Sequence, residues 1–386
     1  MKNIQLLNKI AKVGTDRLDP AVYQIGAEVE APVGIMVRSA KMHDMTFNKE
    51  LLAIARAGAG VNNIPVDRCA EEGIVVFNTP GANANGVKEL AICALLLASR
   101  RIIEGVGFAK GLAGSEDVAK QVEAGKSQFG GCEIMGKTLG VIGLGAIGGM
   151  VANAALALGM KVVGCDPFLS AAAAAQLDSR VARVDSFDEV FEKADYVTLH
   201  VPATNDTKGM ICARTLALMK DGVRIINLAR AELVNAADMA EALASGKAAA
   251  YVTDFPTEET VAMDGVITIP HLGASTEESE DNCAVMAAEE LDAYLALGTI
   301  RNSVNYPNLN APVTGAARVC VLHDAAAAEA VTAVLDAAEV DVASVTTAAK
   351  GANGYTVADL ATVPTADLVG ALTAIEGIRR ARVIVF

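Results

Sequence analysis

The sequence predicts an α/β protein with two domains built on parallel sheets and a smaller C-terminal domain of split β-α-β-β-α-β form. Three observations predict it. Short apolar runs alternate with helical patterns from the N-terminus to about Leu297. A glycine turn at 143–148 has an apolar strand before it and a helix after it. The stretch 317–386 reads strand, helix, strand, strand, helix, strand, the ferredoxin-like order.

The elements follow in order. Gly34–Arg38, Leu51–Arg56 and Gly73–Phe77 read as strands of the first domain. Val87, Leu90, Ala91, Ala94, Leu95 and Ala98 share one helical face, so a long helix ending at Arg100-Arg101 is expected to bridge the first two domains. Strands are then expected at 138–143, 161–165, 195–200, 224–228, 248–253 and 266–270, which makes a doubly wound, Rossmann-like sheet. A helix over Thr276–Leu297 leads to Val304-Asn-Tyr-Pro, expected to return the chain to the first domain. Tyr306–Ala316 reads as a linker. In the tail, 318–322, 340–347, 354–357 and 382–386 read as strands, and 324–338 and 365–375 as helices. The expected boundaries are 1–90 with 281–306, 91–280, a linker at 307–316, and 317–386.

The chain has 386 residues, 52% of them hydrophobic, enough for several cores. Its net charge of −14, without a basic block, excludes a nucleic-acid surface. No apolar run has the length of a membrane span, and Met1-Lys-Asn-Ile-Gln lacks a signal core, so a cytoplasmic protein is expected. Seven cysteines form no C-x-x-C pair, and the four histidines lack ligand spacing; no metal is expected.

In 138–148, Gly143 allows the tight turn and Gly145 lets backbone approach a pyrophosphate. Gly148 lets the helix lie close to its strand. The backbone N–H groups around Ala146 and Ile147 point at the anion from a positive helix end. Asp166 ends the next strand and can accept both ribose hydroxyls of an adenosine. A carboxylate there repels a 2′-phosphate, so NAD is expected over NADP.

Oxidising an alcohol with a nicotinamide needs a base for the hydroxyl proton and a cation to hold the substrate. Three residues stand at the C-terminal ends of strands, where such groups belong: Arg230, Glu258 and His271. An imidazole exchanges a proton near neutrality, and a neighbouring carboxylate orients its ring. A guanidinium grips a carboxylate with two parallel bonds.

With these residues in view, the chain resembles the D-isomer-specific 2-hydroxyacid dehydrogenases. The matching stretches are Val37-Arg-Ser-Ala40, Arg56-Ala-Gly-Ala-Gly60, Asn78-Thr-Pro-Gly-Ala-Asn83, Gly143–Gly148, His200-Val-Pro202, Asn227-Leu-Ala-Arg230, Phe255-Pro-Thr-Glu258 and Pro270–Ser275. The resemblance implies a flavodoxin-like substrate domain, an NAD-binding Rossmann domain and an ACT-type C-terminal domain. It implies His271 as acid/base, Glu258 as its partner and Arg230 as carboxylate anchor. Val201, Pro202, Thr207, Leu228, Ala229, Asp254 and Gly273 join Arg230, His271 and the glycine turn around the cofactor. Arg38, Ser39, Arg56, Gly58, Ala59, Gly60 and Asn83 are implied for a phosphorylated 2-hydroxy acid. His200 is expected to pack near the adenine, with no proton-transfer role.

The expected reaction is NAD-dependent oxidation of 3-phosphoglycerate by a homodimer or homotetramer. The alternatives are another member substrate (hydroxypyruvate, glyoxylate, lactate or erythronate 4-phosphate) and an NAD-sensing corepressor. The sequence departs from the family pattern at Asn62, where an aspartate is common, and at Thr253-Asp254-Phe255. After His323, Asp324 and alanines replace the usual asparagine and Pro-Gly turn, so serine feedback is not expected.

Overall fold

The computed structural model describes residues 1–338 and 340–386. The chain divides into two compact units, 1–83 with 277–386, and 84–276.

In the first unit, β1 (Lys2–Leu7), β2 (Tyr23–Gly26), β3 (Gly34–Val37), β4 (Ala53–Arg56) and β5 (Val75–Phe77) form a sheet in the order β2-β1-β3-β4-β5, parallel throughout. This is the flavodoxin-like order. Strands β1 and β2 escaped the sequence reading, because polar residues interrupt their apolar pattern. The middle strand β3 is buried along its whole length, as expected of a parallel strand covered on both faces. Helix Glu277–Leu297 packs Ala284, Ala287, Ala288 and Leu291 into this core. The return at 304–306 is real: Val304 N–H donates to the Val76 carbonyl at 2.9 Å, and Asn305 bonds both Val76 and Ile74.

In the second unit, the strands are β6 (Thr138–Ile142), β7 (Lys161–Cys165), β8 (Ala182–Arg183), β9 (Tyr196–Leu199), β10 (Val223–Asn227), β11 (Ala248–Thr253) and β12 (Val266–Thr268). Their order is β8-β7-β6-β9-β10-β11-β12, and every pair is parallel. The strand order reverses beside β6, so the β6–β9 edge is the switch point where α/β sheets take ligands. Helix Ala84–Ser99 buries Val87, Ala91, Ala94 and Leu95 in this unit's core. It lies within the second unit, 84–276. The boundary falls at 83/84, and the second at 276/277.

The tail, β13 (Ala317–Asp324), β14 (Val342–Lys350), β15 (Asn353–Leu360) and β16 (Ile378–Val385), is an antiparallel sheet in the order β14-β15-β13-β16. Helices Ala328–Ala337 and Ala366–Thr373 cover one face through Val319, Val321, Val331, Leu335 and Leu372. Alternation along β13 sends Cys320 and Leu322 to the other face, into the same core as Tyr294 and Leu295. The 307–316 stretch is thus no free tether. Each side chain of this size contributes roughly 1.5–3 kcal/mol on full burial, enough to fuse the tail to the first sheet.

Candidate active site

The dinucleotide turn has the geometry its glycines dictate. Gly143 adopts φ +88°, and a Cβ there would stand 2.6 Å from the His200 carbonyl oxygen. A Cβ on Gly148 would fall 1.8 Å from the Gly143 oxygen, so only glycine lets this helix sit so close. Gly145 has open space where a Cβ would project. Helix Ala146–Ala157 starts there without a side-chain cap, which leaves its first N–H groups free for an anion.

Asp166 stands just past β7, partly buried. Its Oδ2 accepts the Leu144 N–H and its Oδ1 the Phe168 N–H, each at 2.9 Å. The carboxylate therefore fastens the glycine turn. Thr207 Oγ1 donates to the Pro202 carbonyl at 2.6 Å and accepts the Thr204 N–H, which closes the loop after Val201. His200 bonds Thr198 Oγ1 at 2.9 Å, and burial lowers its pKa to about 4, so the ring is neutral.

The chemistry-bearing residues gather past β10, β11 and β12. Asn227 ends β10, and its Oδ1 accepts the N–H groups of Ala229 and Arg230 while its Nδ2 donates to the Arg230 carbonyl. That clamp orients Leu228, Ala229 and Arg230. Phe255 follows β11 and is in contact with both expected catalytic groups. The Arg230 guanidinium stands 5.4 Å from its ring centroid and the His271 ring 4.5 Å, tilted by 44°. Such contacts contribute roughly 0.5–1 kcal/mol each at exposed positions. Neither Asn227 nor Phe255 was assigned a role from the sequence. The asparagine's place at a strand end was the available signal; an aromatic beside a proline carried none.

His271 sits at φ +46°, with its N–H shared between the Asp254 and Ile269 carbonyls. Glu258 is exposed, and no hydrogen bond or ion pair joins it to His271. Asp254, whose carbonyl accepts the His271 N–H, is the carboxylate that His271 and Arg230 act on electrostatically. It is 1% exposed, and its Oδ2 accepts the Gly273 N–H at 3.0 Å. Burial raises its pKa; Gly273, His271 and Arg230 act in the opposite direction, and burial prevails. Its Oδ1 is buried without a partner. An orphaned acceptor beside an imidazole fits the carboxamide of a nicotinamide, which brings an N–H donor.

The residues expected for the substrate lie in the first unit. Asn8 Oδ1 accepts three successive N–H groups, those of Arg38, Ser39 and Ala40, at 2.9–3.2 Å. Arg38 is paired with Glu280 at 2.7 Å. Arg56 Nε donates to the Arg38 carbonyl, and its guanidinium occupies the space a Cβ on Gly58 would need. Gly58 has φ +148°, and its carbonyl accepts the Thr79 N–H. Ala59 accepts from Asn78 Nδ2 at 2.6 Å, while Gly60 follows in the same loop and Asn83 ends the turn before residue 84. Among the described residues, no group of three His, Cys, Asp or Glu side chains is placed to hold a metal, and no helix is long and apolar enough to cross a membrane.

Residues 106–273 match the NAD binding domain of the D-isomer specific 2-hydroxyacid dehydrogenases. A D-3-phosphoglycerate dehydrogenase of Methanocaldococcus jannaschii is 38% identical over 267 residues, 68% of this chain and 49% of that one. One from Synechocystis is 35% identical over 324 residues, 80% of this chain and 55% of that one. The chain spans about half the length of these curated relatives. Among solved structures, an NAD+-bound 3-phosphoglycerate dehydrogenase of Entamoeba histolytica superposes with a TM-score of 0.62. It is 27% identical, with 80% of this chain and 99% of that one covered.

Proposed function

Because the chain belongs to the D-isomer specific 2-hydroxyacid dehydrogenase family, we propose that it oxidises 3-phosphoglycerate to 3-phosphohydroxypyruvate with NAD, the entry step of serine biosynthesis. The stack of Arg230, Phe255 and His271 beside the orphaned Asp254 oxygen carries this reading. NAD, when bound, supplies the hydride acceptor. Asp254 Oδ1 and Gly273 would hold its nicotinamide end, the 143–148 turn its pyrophosphate, and Asp166 its ribose.

His271 takes the proton from the substrate hydroxyl, and Arg230 grips the carboxylate through two N–H groups. Glu258 orients His271 once substrate is present; catalytic hydrogen bonds are often long in ligand-free sites and tighten on loading. Arg38 and Arg56 take the phosphate, for which Arg38 exchanges Glu280. Ser39, the 58–60 loop and Asn83 complete the substrate set.

We read the tail as an ACT-type domain, on its β-α-β-β-α-β order. A homo-oligomer is supported by helix Ile102–Gly111, which has no buried residue and exposes Ile102, Ile103 and Val106. Seven unpaired thiols suit a reducing compartment, the cytoplasm.

The test is NADH formation from 3-phosphoglycerate by the purified chain, beside glycerate and D-lactate. Turnover of the phosphorylated acid with at least tenfold higher kcat/KM supports the reading. No NADH from it, with hydroxypyruvate or glyoxylate reduced instead, sinks the substrate assignment.

A further inference from the structure

The unexplained chemistry of the first unit lies in a cavity where β16 faces the beginning of the chain. Its volume is about 520 Å³, and Lys2, Val33, Glu50, Leu295, Arg380 and Arg382 are in its wall. β16 is an edge strand, paired only with β13, so its other side is open to the cavity. Arg380 and Arg382 are two apart on that strand and project from the same face.

Main-chain oxygens hold these cations. Arg380 donates to the carbonyls of Lys49 and Glu72 at 3.0 and 3.1 Å. Arg382 donates to those of Leu295, at 3.3 Å, and Tyr294. Lys2 Nζ donates to Leu295 as well, at 3.2 Å. Carbonyls supply dipoles but no charge. Among the described residues, no carboxylate forms an ion pair with Lys2, Arg380 or Arg382, although the chain carries 46 acids. Glu50 is in the wall but is exposed. The Nε atoms of both arginines are shut off from water and lack an acceptor.

A guanidinium cannot shed its proton, so its burial leaves a charge that a partner must balance. Burial, followed by the charge of Arg382, lowers the Lys2 pKa from its ordinary value, and Asp292 offsets this only in part. The volume falls in the range of small-ligand clefts, roughly 300–1,000 Å³. We infer that this cavity binds a small oxyanion, a metabolite bearing a phosphate or paired carboxylates, held by Lys2, Arg380 and Arg382. The occupant touches β1, β16 and the end of helix Glu277–Leu297 together, so it strengthens the seat of the tail on the first sheet. Ligand that binds only the folded form raises the melting temperature by mass action.

Calorimetric titration and thermal melts of the full chain, at constant ionic strength, test the site with inorganic phosphate in one arm and succinate in the other. The preferred arm identifies the ligand class. Lys2→Gln and Arg382→Gln each weaken the preferred anion by about tenfold, the loss of one charge-assisted bond. Arg38→Gln, which alters the proposed substrate phosphate group elsewhere in the unit, leaves that affinity within about twofold. The inference fails if neither anion binds, if binding survives both cavity variants, or if Arg38→Gln abolishes it. Should Arg382→Gln not fold, Lys2→Gln decides alone, since Lys2 is at the exposed rim and its loss removes a single backbone bond.

Discussion

Arg318 and Asp359 form a two-bond ion pair sealed from water: Nε to Oδ1 is 2.6 Å, Nη2 to Oδ2 is 2.9 Å, and neither side chain is more than 1% exposed. Nη1 also donates to the Leu297 carbonyl, and Nη2 to those of Ala311 and Pro312. Thr314 gives Asp359 two more donors. One pair thus ties the end of helix Glu277–Leu297, the 311–316 stretch and two strands of the tail.

Removing one partner leaves a buried charge alone, a loss of about 3–5 kcal/mol. Asp359→Ala should therefore lower the melting temperature far more than a paired Arg318→Met, Asp359→Leu replacement. Equal losses in the two would mean that the pair is not what holds this corner. The same pair sets an acid limit. Burial raises the Asp359 pKa, but the bonds from Arg318 and Thr314 outweigh it and the net shift is downward. A carboxyl lowered by folding stabilises above its unfolded value, ~3.9, and the contribution is lost as pH falls through the folded value. Asp359→Asn should flatten that acid limb of the stability curve.

Glu290 has the opposite sign. It is 4% exposed, bonded to Asn302 through Oε1, with Oε2 unpartnered; burial raises its pKa to about 8. A raised carboxyl stabilises fully below its unfolded value and progressively less as pH rises toward 8. Glu290→Gln should stabilise the chain by about 1–3 kcal/mol at pH 8 and change little at pH 4. Denaturant unfolding at both pH values measures this; an equal effect at each would show that the carboxyl titrates normally.

His271→Ala should reduce kcat by roughly 10²–10⁴ while NAD affinity, read by fluorescence quenching, stays within severalfold. Phe255→Leu removes the ring that contacts both Arg230 and His271, so it should cost less, about tenfold in kcat/KM. If Phe255→Leu costs as much as His271→Ala, the ring has a role beyond orientation.

Asp166→Ala should weaken NAD and narrow its advantage over NADP, because the ribose acceptor and the repulsion of a 2′-phosphate go together. It also frees the Leu144 and Phe168 N–H groups, so a lower melting temperature accompanies it. Unchanged discrimination between the two dinucleotides would place ribose reading on another residue.

Glu280→Gln should lower KM for 3-phosphoglycerate severalfold, since Arg38 then has no carboxylate to leave. The exposed pair itself is worth only about 0–1 kcal/mol, so stability should hardly move. Initial-rate kinetics with glycerate as control separates a phosphate effect from a general one.

Much of the architecture was local in origin and therefore readable. The 143–148 turn depends on steric demands of single glycines, and Asp166 on the end of one strand. Arg230 and His271 follow from strand ends, because parallel connections bring every such end to one edge. By itself the sequence thus determined the dinucleotide sheet and its glycine turn, and pointed to Arg230 and His271 as catalytic candidates. Tertiary structure alone decided that Phe255 contacts both Arg230 and His271, that Asp254 keeps one oxygen unpartnered, and that no hydrogen bond or ion pair joins Glu258 to His271. It alone decided that β1 and β2 complete the first sheet and that Arg318 meets Asp359. These are contacts between residues distant in the chain or differences in side-chain direction. Neither leaves a periodicity or a spacing behind, and both are set by packing.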